Sequence, residues 1–370
     1  MKRWASRAPI ALALLTQSTP WRAAADDIYV PTDFPTISGA LAVATTGDIV
    51  HLAPGDYTES WLTVGPGVEL QGAGAFRTRI HAIAPTATIL TVSSGSEVRA
   101  IGFDGGDVGI DGTSLVHSLT VAGCVFKEFN TGIVLGNDPS VGSAVQFLIK
   151  GNVFEVCEVG VDASFLEGSD LKLARNVMFW VDTGMYLAIE DYAIDSGIKM
   201  FNNVMINVLD FGVFIDIDGL EPVEPSLEAH HNVFASYTDG LVITCSAEGA
   251  GTLVAWNDIA HEGTGDAVFY DNSNGDCLAV TDLDFVGTFN GGNLAGVPLP
   301  GMITADAAPF LALDVNANDY LEIDLRLVLN SPYVDFGTDA ALGMDPDGSD
   351  PDLGAYGGSE ASNWDYDHDL

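Results

Sequence analysis

The middle of the chain contains five copies of one short sequence pattern. They read CVFKEFNTGIVL (124–135), NVFEVCEVGVDA (152–163), NVMFWVDTGMYL (176–187), NVMINVLDFGVFI (203–215) and NVFASYTDGLVI (232–243). A looser sixth copy begins at Asn257, and successive starts lie 28, 24, 27, 29 and 25 residues apart. A repeat of this length indicates stacked structural units that share one continuous core.

Each copy contains a glycine followed by an alternating apolar segment. The residues one and three places after the glycine are apolar, which predicts the inward face of a short strand. The residue between them should point outward, and it is Val134, Asp162, Tyr186, Phe214 or Val242. The aligned glycines suit a tight bend or a positive φ, and they are Gly132, Gly160, Gly184, Gly212 and Gly240.

Four copies begin with asparagine, namely Asn152, Asn176, Asn203 and Asn232, and the first begins with Cys124. Stacked asparagines can form a ladder, because each amide donates to one neighbour and accepts from the other. Two or three short strands in about 25 residues leave no room for a full helix, so the repeat predicts an all-β solenoid. A leucine-rich repeat would need L-x-x-L-x-L, which is absent.

The segment before the repeats predicts a cap for the solenoid. Ile28 to Val30 reads as a strand, residues 35–47 as one short amphipathic helix, and Ile49 to Leu52 as a strand. The helix begins near Pro35 and ends before Gly47. Such a helix would cover the sheet edge that the first coil otherwise exposes.

Both ends of the chain carry a family resemblance. The phrases DFPTI (33–37), GD-V-LAPG-Y-E (47–59) and VELQGAG (68–74) resemble the opening of the pectin-lyase-like superfamily. The segment at 331–358 is similar to the closing part of many exported bacterial members. The resemblance implies a right-handed parallel β-helix over residues 28–357, in a group that contains pectin esterases, polysaccharide lyases, polygalacturonases and surface proteins without known activity.

The sequence divides into three predicted segments. Residues 1–25 predict a secretory signal peptide, with an early basic region, a short apolar stretch and Ala23-Ala24-Ala25 as cleavage site. Residues 26–358 form the predicted β-helix domain, and 359–370 an acidic C-terminal tail. The tail's D-x-D-x-D run (365–369) either begins a calcium loop or is a solvated acidic segment. The expected location is outside the cell or on its surface.

The charge of the chain excludes several partners. The sequence has 13 Lys and Arg against 52 Asp and Glu; residues 1–25 hold four of the basic residues, so the remainder carries a formal charge of −43. Such a surface repels nucleic acid and anionic membranes, and no segment is apolar enough for membrane insertion. We expect a monomer. Among four cysteines, which allow three pairings, Cys245 with Cys277 is the favoured disulfide.

One candidate site lies two residues before the aligned glycines. If the coils stack in register, Glu158, Asp182 and Asp210 form a column of carboxylates. Neighbouring carboxylates can bind Ca²⁺ or act as a general acid and base. Turn-forming preference explains the same residue types without a ligand, since the equivalent places hold Asn130 and Thr238.

A second candidate site combines outward aromatic residues with acids. Aromatic faces beside carboxylates suit sugar binding, because a pyranose presents C–H groups to a ring and hydroxyls to acids. The predicted catalytic carboxylates are Asp182, Asp210 and Asp216, and the predicted substrate-binding residues are Tyr186, Phe214, Tyr192, His230 and His231. Further acids of this cluster are Asp191, Asp195, Asp218, Glu221, Glu224 and Glu228.

The sequence lacks the active-site patterns of the family's enzymes. No Lys or Arg of the central coils falls in a lyase motif, Asn130-Thr131 is followed by Gly132 rather than Asp, and Asp210-Phe211-Gly212 departs from the esterase pattern. The leading hypothesis is therefore an extracellular, carbohydrate-recognising scaffold. The alternatives are a polysaccharide lyase or glycoside hydrolase that uses the central carboxylates, and a purely structural, adhesin-like rod.

Overall fold

The structure is a computed structural model. It describes residues 25–115, 118–137, 146–165, 169–189, 197–218, 226–245, 251–261, 268–271 and 278–288, and short strands between 293 and 327. Of the predicted signal peptide only Ala25 falls among these residues, and the predicted acidic tail lies outside them. No helix in the described ranges is long and apolar enough to cross a bilayer.

Almost all regular structure is β. One helix, α1 (Ile37–Leu41), accompanies strands β1 (Asp27–Val30), β2 (Ile49–Leu52), β3 (Gly55–Thr58), β4 (Leu62–Val64), β5 (Glu69–Gln71), β6 (Thr78–His81), β7 (Thr88–Val92), β8 (Ser96–Arg99), β9 (Gly102–Leu115), β10 (Ser118–Ala122), β11 (Val125–Asn137), β12 (Gln146–Lys150), β13 (Val153–Glu155), β14 (Val159–Phe165) and β15 (Asp170–Ala174). The chain continues with β16 (Val177–Phe179), β17 (Thr183–Ile189), β18 (Gly197–Phe201), β19 (Val204–Ile217), β20 (Ser226–His230), β21 (Val233–Cys245), β22 (Gly251–His261), β23 (Val268–Asp271), β24 (Leu278–Thr288), β25 (Asn293–Leu294), β26 (Val297–Pro298), β27 (Ile303–Thr304), β28 (Phe310–Ala312) and β29 (Asp324–Leu327).

The strands stack as three parallel sheets; after the first coil, which contributes β1 and the helix α1, successive coils add a strand to each sheet. Sheet A contains β1, β2, β5, β8, β10, β12, β15, β18, β20 and the start of β22. Sheet B contains β3, β6, β13, β16, the first parts of β9, β11, β19 and β21, and the end of β22. Sheet C contains β4, β7, β14, β17, the second parts of β9, β11, β19 and β21, and β23. This confirms the predicted right-handed parallel β-helix.

The alternating pattern of the repeats fills the interior. The residues one and three places after each aligned glycine are at most 1% exposed in all five copies, from Ile133 and Leu135 to Leu241 and Ile243. Aromatic rings also stack along the axis: the Phe126 centroid lies 5.1 Å from that of Phe103 and 4.9 Å from that of Phe154. Of the residues predicted to point outward, only Val242 is buried.

The predicted asparagine ladder is present and buried. The side-chain amide of Asn152 donates to Oδ1 of Asn176 at 3.1 Å, Asn176 donates to Asn203 at 3.0 Å, and Asn203 to Asn232 at 3.0 Å. The ladder ends at Asp258, whose Oδ1 accepts from the Asn232 amide at 2.9 Å. The sixth copy therefore aligns on Asp258, one residue after the predicted start at Asn257.

The aligned glycines are required by close approach, and the prediction of a positive φ is wrong. Gly132, Gly160, Gly184 and Gly212 all have ordinary φ values. A Cβ on Gly160 would lie 2.5 Å from the carbonyl oxygen of Gly184 in the next coil. The positive φ values fall instead on residues four or five places before these glycines, and on residues directly before the ladder asparagines.

The N-terminal cap is shorter than predicted. Helix α1 has five residues, with Ile37, Ala40 and Leu41 buried. It begins after Thr36, whose hydroxyl accepts from the Gly39 amide at 3.1 Å. The Glu59 carboxylate accepts from the Ile37 and Ser38 amides at 2.8 and 3.0 Å. These bonds tie the cap to the coil beneath it.

The cysteines fall into two groups. Cys124 and Cys157 are free and buried, and burial raises the pKa of each thiol to about 12. Cys245 is disulfide-bonded. Its predicted partner, Cys277, lies outside the described residues.

Candidate functional site

The outer face of sheet C carries an aromatic cluster on two neighbouring coils. Tyr186 on β17 and Phe214 on β19 are in register, and their rings stack with centroids 5.4 Å apart at 10°. Phe211 joins them, with its centroid 5.0 Å from that of Phe214. All three rings are half-buried. The predicted outward position of Tyr186 and Phe214 therefore produces one continuous apolar platform, which we call the aromatic face.

Carboxylates flank this platform. Asp162 on β14 is in register with Tyr186, one coil away, and burial raises the pKa of its carboxyl. Asp216 lies two residues beyond Phe214, and its Oδ1 accepts from the Thr244 hydroxyl at 2.6 Å. The repeat pattern predicts Asp162 in the same outward column as the two rings, without a binding role. Its neighbours in that column, rather than any motif, are the signal that identifies it.

The column of Glu158, Asp182 and Asp210 is also present. These residues follow one another on three coils at the turn between sheets B and C, and the Asp210 amide donates to the Asp182 carbonyl at 2.8 Å. In the described part of the chain, however, no group of three or more His, Cys, Asp or Glu side chains could hold a metal ion. The structure stacks the predicted calcium ligands without assembling them into a metal site.

The three predicted catalytic carboxylates do not converge. Asp210 and Asp216 lie six residues apart on the same strand, β19, which separates them by about 20 Å. Paired carboxylates that cleave a glycosidic bond lie within about 10 Å of each other. Asp216 therefore cannot act on the same bond as Asp182 or Asp210 in this arrangement.

The two predicted substrate-binding histidines are buried away from the aromatic face. His230 ends a strand of sheet A, where its ring stacks on Phe201 with centroids 5.2 Å apart. His231 occupies the turn before Asn232 with a φ of 58°. Both side chains are at most 3% exposed, so neither can meet a ligand on the surface.

The remaining members of the predicted acidic cluster do not all share one surface. Asp218 is exposed just beyond the end of β19. Glu228 belongs to sheet A, where its carboxylate pairs with Lys199 at 3.1 Å. Tyr192 and the acids Asp191, Asp195, Glu221 and Glu224 lie outside the described residues.

Comparison with known proteins returned matches among solved structures. No protein-family model and no curated protein matches the chain. Among solved structures, the catalytic unit of a GH87 α-1,3-glucanase from Streptomyces thermodiastaticus matches with 14% identity and a TM-score of 0.35, covering 72% of this chain and 66% of that one.

Two further solved structures are similar to the same degree. A GH87 α-1,3-glucanase catalytic domain in complex with tetrasaccharides has 11% identity and a TM-score of 0.29, covering 72% of this chain and 69% of that one. ORF18 of Geobacillus virus E2 has 11% identity and a TM-score of 0.27, covering 66% and 55%. The coils, sheets and ladder described above give this chain a right-handed parallel β-helix fold.

Proposed function

We propose that this chain is an exported β-helix protein that binds carbohydrate on the aromatic face of sheet C. The observation that carries the proposal is the stacked pair of Tyr186 and Phe214, which the solenoid holds outward on neighbouring coils. Paired rings offer a flat apolar surface to the C–H groups of a sugar. Loops and outer faces of a rigid scaffold are where binding residues commonly lie.

The flanking acids supply the polar part of such a site. An ionised carboxylate accepts hydrogen bonds from sugar hydroxyls, and a protonated one can also donate. Asp162 lies one coil from Tyr186 and in register with it, and Asp216 lies two residues beyond Phe214 on the same strand. A few polar groups placed around an apolar platform are the usual composition of a ligand site.

We also propose that the protein is exported. Export is supported by the basic and apolar segments of residues 1–25 and by the strongly acidic composition of the rest. The absence of recognisable family catalytic patterns, together with the wide separation of Asp210 and Asp216, favours a binding protein over a lyase or hydrolase acting through those carboxylates.

Affinity gel electrophoresis tests the proposal. We expect the protein to be retarded in gels that contain at least one soluble polysaccharide from a panel of hydroxyethylcellulose, galactomannan, xyloglucan and dextran. Tyr186→Ala and Phe214→Ala should each weaken retardation about tenfold or more, as loss of an aromatic anchor does. Val134→Ala, at the equivalent place of β11, is the matched control and should bind normally. Migration unaffected by every polysaccharide, or by both substitutions, would contradict the proposal.

A further inference from the structure

The edge between sheets B and C carries exposed apolar residues on three successive coils. Val156, Trp180 and Leu209 are 50%, 40% and 53% exposed. They project from the turns that precede β14 and β17 and from the bend within β19. Adjacent coils are about 4.8 Å apart, so these side chains form one patch, which we call the edge patch.

The turn itself does not require apolar residues there. Gly105, Glu128, Asn207 and Ser236 occupy the same place as Val156 and Trp180 in other coils, and all six have positive φ values. Glycine and asparagine adopt this backbone most readily, whereas a β-branched or bulky residue is disfavoured. Val156 and Trp180 are therefore both exposed to water and poorly suited to a backbone with positive φ. Stabilisation of the solenoid does not explain why these residue types occur there.

The edge patch is continuous with the aromatic face. Leu209, Phe211 and Phe214 follow one another along β19, over about 17 Å. Trp180 lies on the coil of Tyr186, just before β17 begins. Since Phe211 and Phe214 are in ring contact, an apolar path runs from the middle of sheet C to its edge.

The charges beside the edge patch restrict what can occupy it. Glu158, Asp182 and Asp210 lie one or two residues beyond the three apolar side chains, on the same coils. Glu158 and Asp210 are exposed, and Asp182 is half-buried. Carboxylates stacked at the coil spacing repel an anionic chain and accept hydrogen bonds from hydroxyl groups. The complementary occupant is an uncharged, hydroxyl-rich polymer.

We infer that the carbohydrate site extends around this edge, so that its ligand is a long, uncharged polysaccharide that contacts Trp180 as well as Tyr186 and Phe214. This inference rests on the proposed function and deepens it. The edge patch supplies further apolar contacts, and the adjacent acids exclude glycans that carry carboxylate or sulfate groups.

Asparagine substitutions test the apolar contacts. Trp180→Asn places in this coil the residue that the next coil has at the same position, Asn207. We expect it to weaken retardation by hydroxyethylcellulose, or by whichever uncharged polysaccharide of the panel binds best, about tenfold. The melting temperature should stay the same or rise, because asparagine tolerates the backbone. A purely structural role for Trp180 predicts a lower melting temperature with normal binding instead.

Trp61 provides a matched control. It is also an exposed tryptophan with a positive φ, 63% exposed in the B–C turn of an early coil, and lies five coils, or about 24 Å, from Trp180 along the axis. Trp61→Asn should leave retardation unchanged. If Trp180→Asn binds like Trp61→Asn while Tyr186→Ala has lost binding, the proposed function stands and the extension to the edge is wrong. If no polysaccharide retards the wild-type protein, both are wrong.

Two polysaccharides that share the cellulose backbone but differ in charge test the role of the acidic side chains beside the edge patch. We expect the wild-type protein to bind hydroxyethylcellulose better than carboxymethylcellulose. The triple variant Glu158→Gln, Asp182→Asn and Asp210→Asn should narrow this preference. A variant that neutralises the distant acids Asp27, Asp56 and Asp170 has the same net charge and should keep the preference. Equal wild-type binding of the two celluloses, or equal behaviour of the two triple variants, would overturn the proposed exclusion of anionic glycans.

Discussion

Removal of one ladder amide should destabilise the solenoid far more than removal of a surface amide. The side chain of Asn176 is fully buried and makes four hydrogen bonds. Its Oδ1 accepts from the backbone amide and the side-chain amide of Asn152, both at 3.1 Å. Its Nδ2 donates to the Ile149 carbonyl at 2.9 Å and to Oδ1 of Asn203 at 3.0 Å.

The expected loss in the free energy of unfolding follows from the hydrogen-bonding groups that Asn176→Ala leaves behind. In Asn176→Ala, Asn152 Nδ2 keeps its bond to the Val121 carbonyl, and Oδ1 of Asn203 keeps the backbone amide of residue 176. The backbone amide of Asn152, which lies in a turn, loses its buried acceptor. One orphaned buried amide at about 1–3 kcal/mol, plus three further lost hydrogen bonds at about 0.5–1 kcal/mol each, gives a loss of about 4 kcal/mol in the free energy of unfolding.

Equilibrium urea unfolding followed by circular dichroism measures this loss. Asn130→Ala is the control, because Asn130 is exposed and donates one side-chain hydrogen bond, to Asp107 at 2.7 Å; it should cost less than about 1 kcal/mol. An equal unfolding midpoint and slope for Asn176→Ala and Asn130→Ala would show that the buried ladder does not stabilise the solenoid.

Three other predictions concern the scaffold. Gly160→Ala should unfold at a much lower urea concentration than Gly65→Ala. The added Cβ would lie 2.5 Å from a backbone oxygen at position 160, whereas at position 65 it would meet no atom nearer than 3.7 Å. Equal unfolding midpoints would count against close packing of the coils. Burial and the adjacent His230 lower the pKa of His231 to about 3, so at a pH below its unfolded pKa of about 6.5 the unfolded chain binds more protons, and lowering the pH to 5 should cost about 2 kcal/mol of stability. His231→Asn should remove this loss in urea titrations at pH 7 and pH 5, and an unaltered loss would disprove the assignment. Cys124 and Cys157 should resist alkylation in the native protein and react after unfolding, since burial raises both thiol pKa values to about 12; rapid native labelling would show that the interior is open.

The parts of the fold that repeat from coil to coil could be predicted from the sequence. Alternation after each glycine identified the buried face of sheet C, and the recurrent asparagine identified the ladder, because both depend on residue type at a fixed period. The reason for the glycines was missed, since a positive φ and a close backbone contact select the same residue. The sixth copy was aligned on Asn257 instead of Asp258, because the ladder ends there on an aspartate, whose carboxylate accepts hydrogen bonds but does not donate them. The residue in register with Asp258 in the next coil is Phe285.

The candidate site was predicted less completely, for physical reasons. Tyr186 and Phe214 were placed correctly because side-chain direction alternates along a strand. His230 and His231 were misassigned, although His231 directly precedes Asn232 and so belongs to the turn that Arg175 and Asn202 form in earlier coils. Asp216 was grouped with Asp182 and Asp210 from proximity in sequence, whereas an extended strand carries it about 20 Å away. Phe211 and Asp162 were given no binding role because neither belongs to a recognisable motif.

Hydrogen–deuterium exchange with and without a bound polysaccharide can locate the carbohydrate site on the protein. We predict that the polysaccharide slows exchange in residues 180–189 and 209–217, which contain the aromatic face and two residues of the edge patch, Trp180 and Leu209. The strands of sheet A on the same coils, Asp170–Ala174 and Gly197–Phe201, should exchange as in the free protein. Protection centred on sheet A, or spread evenly over all three sheets, would contradict a carbohydrate site on sheet C.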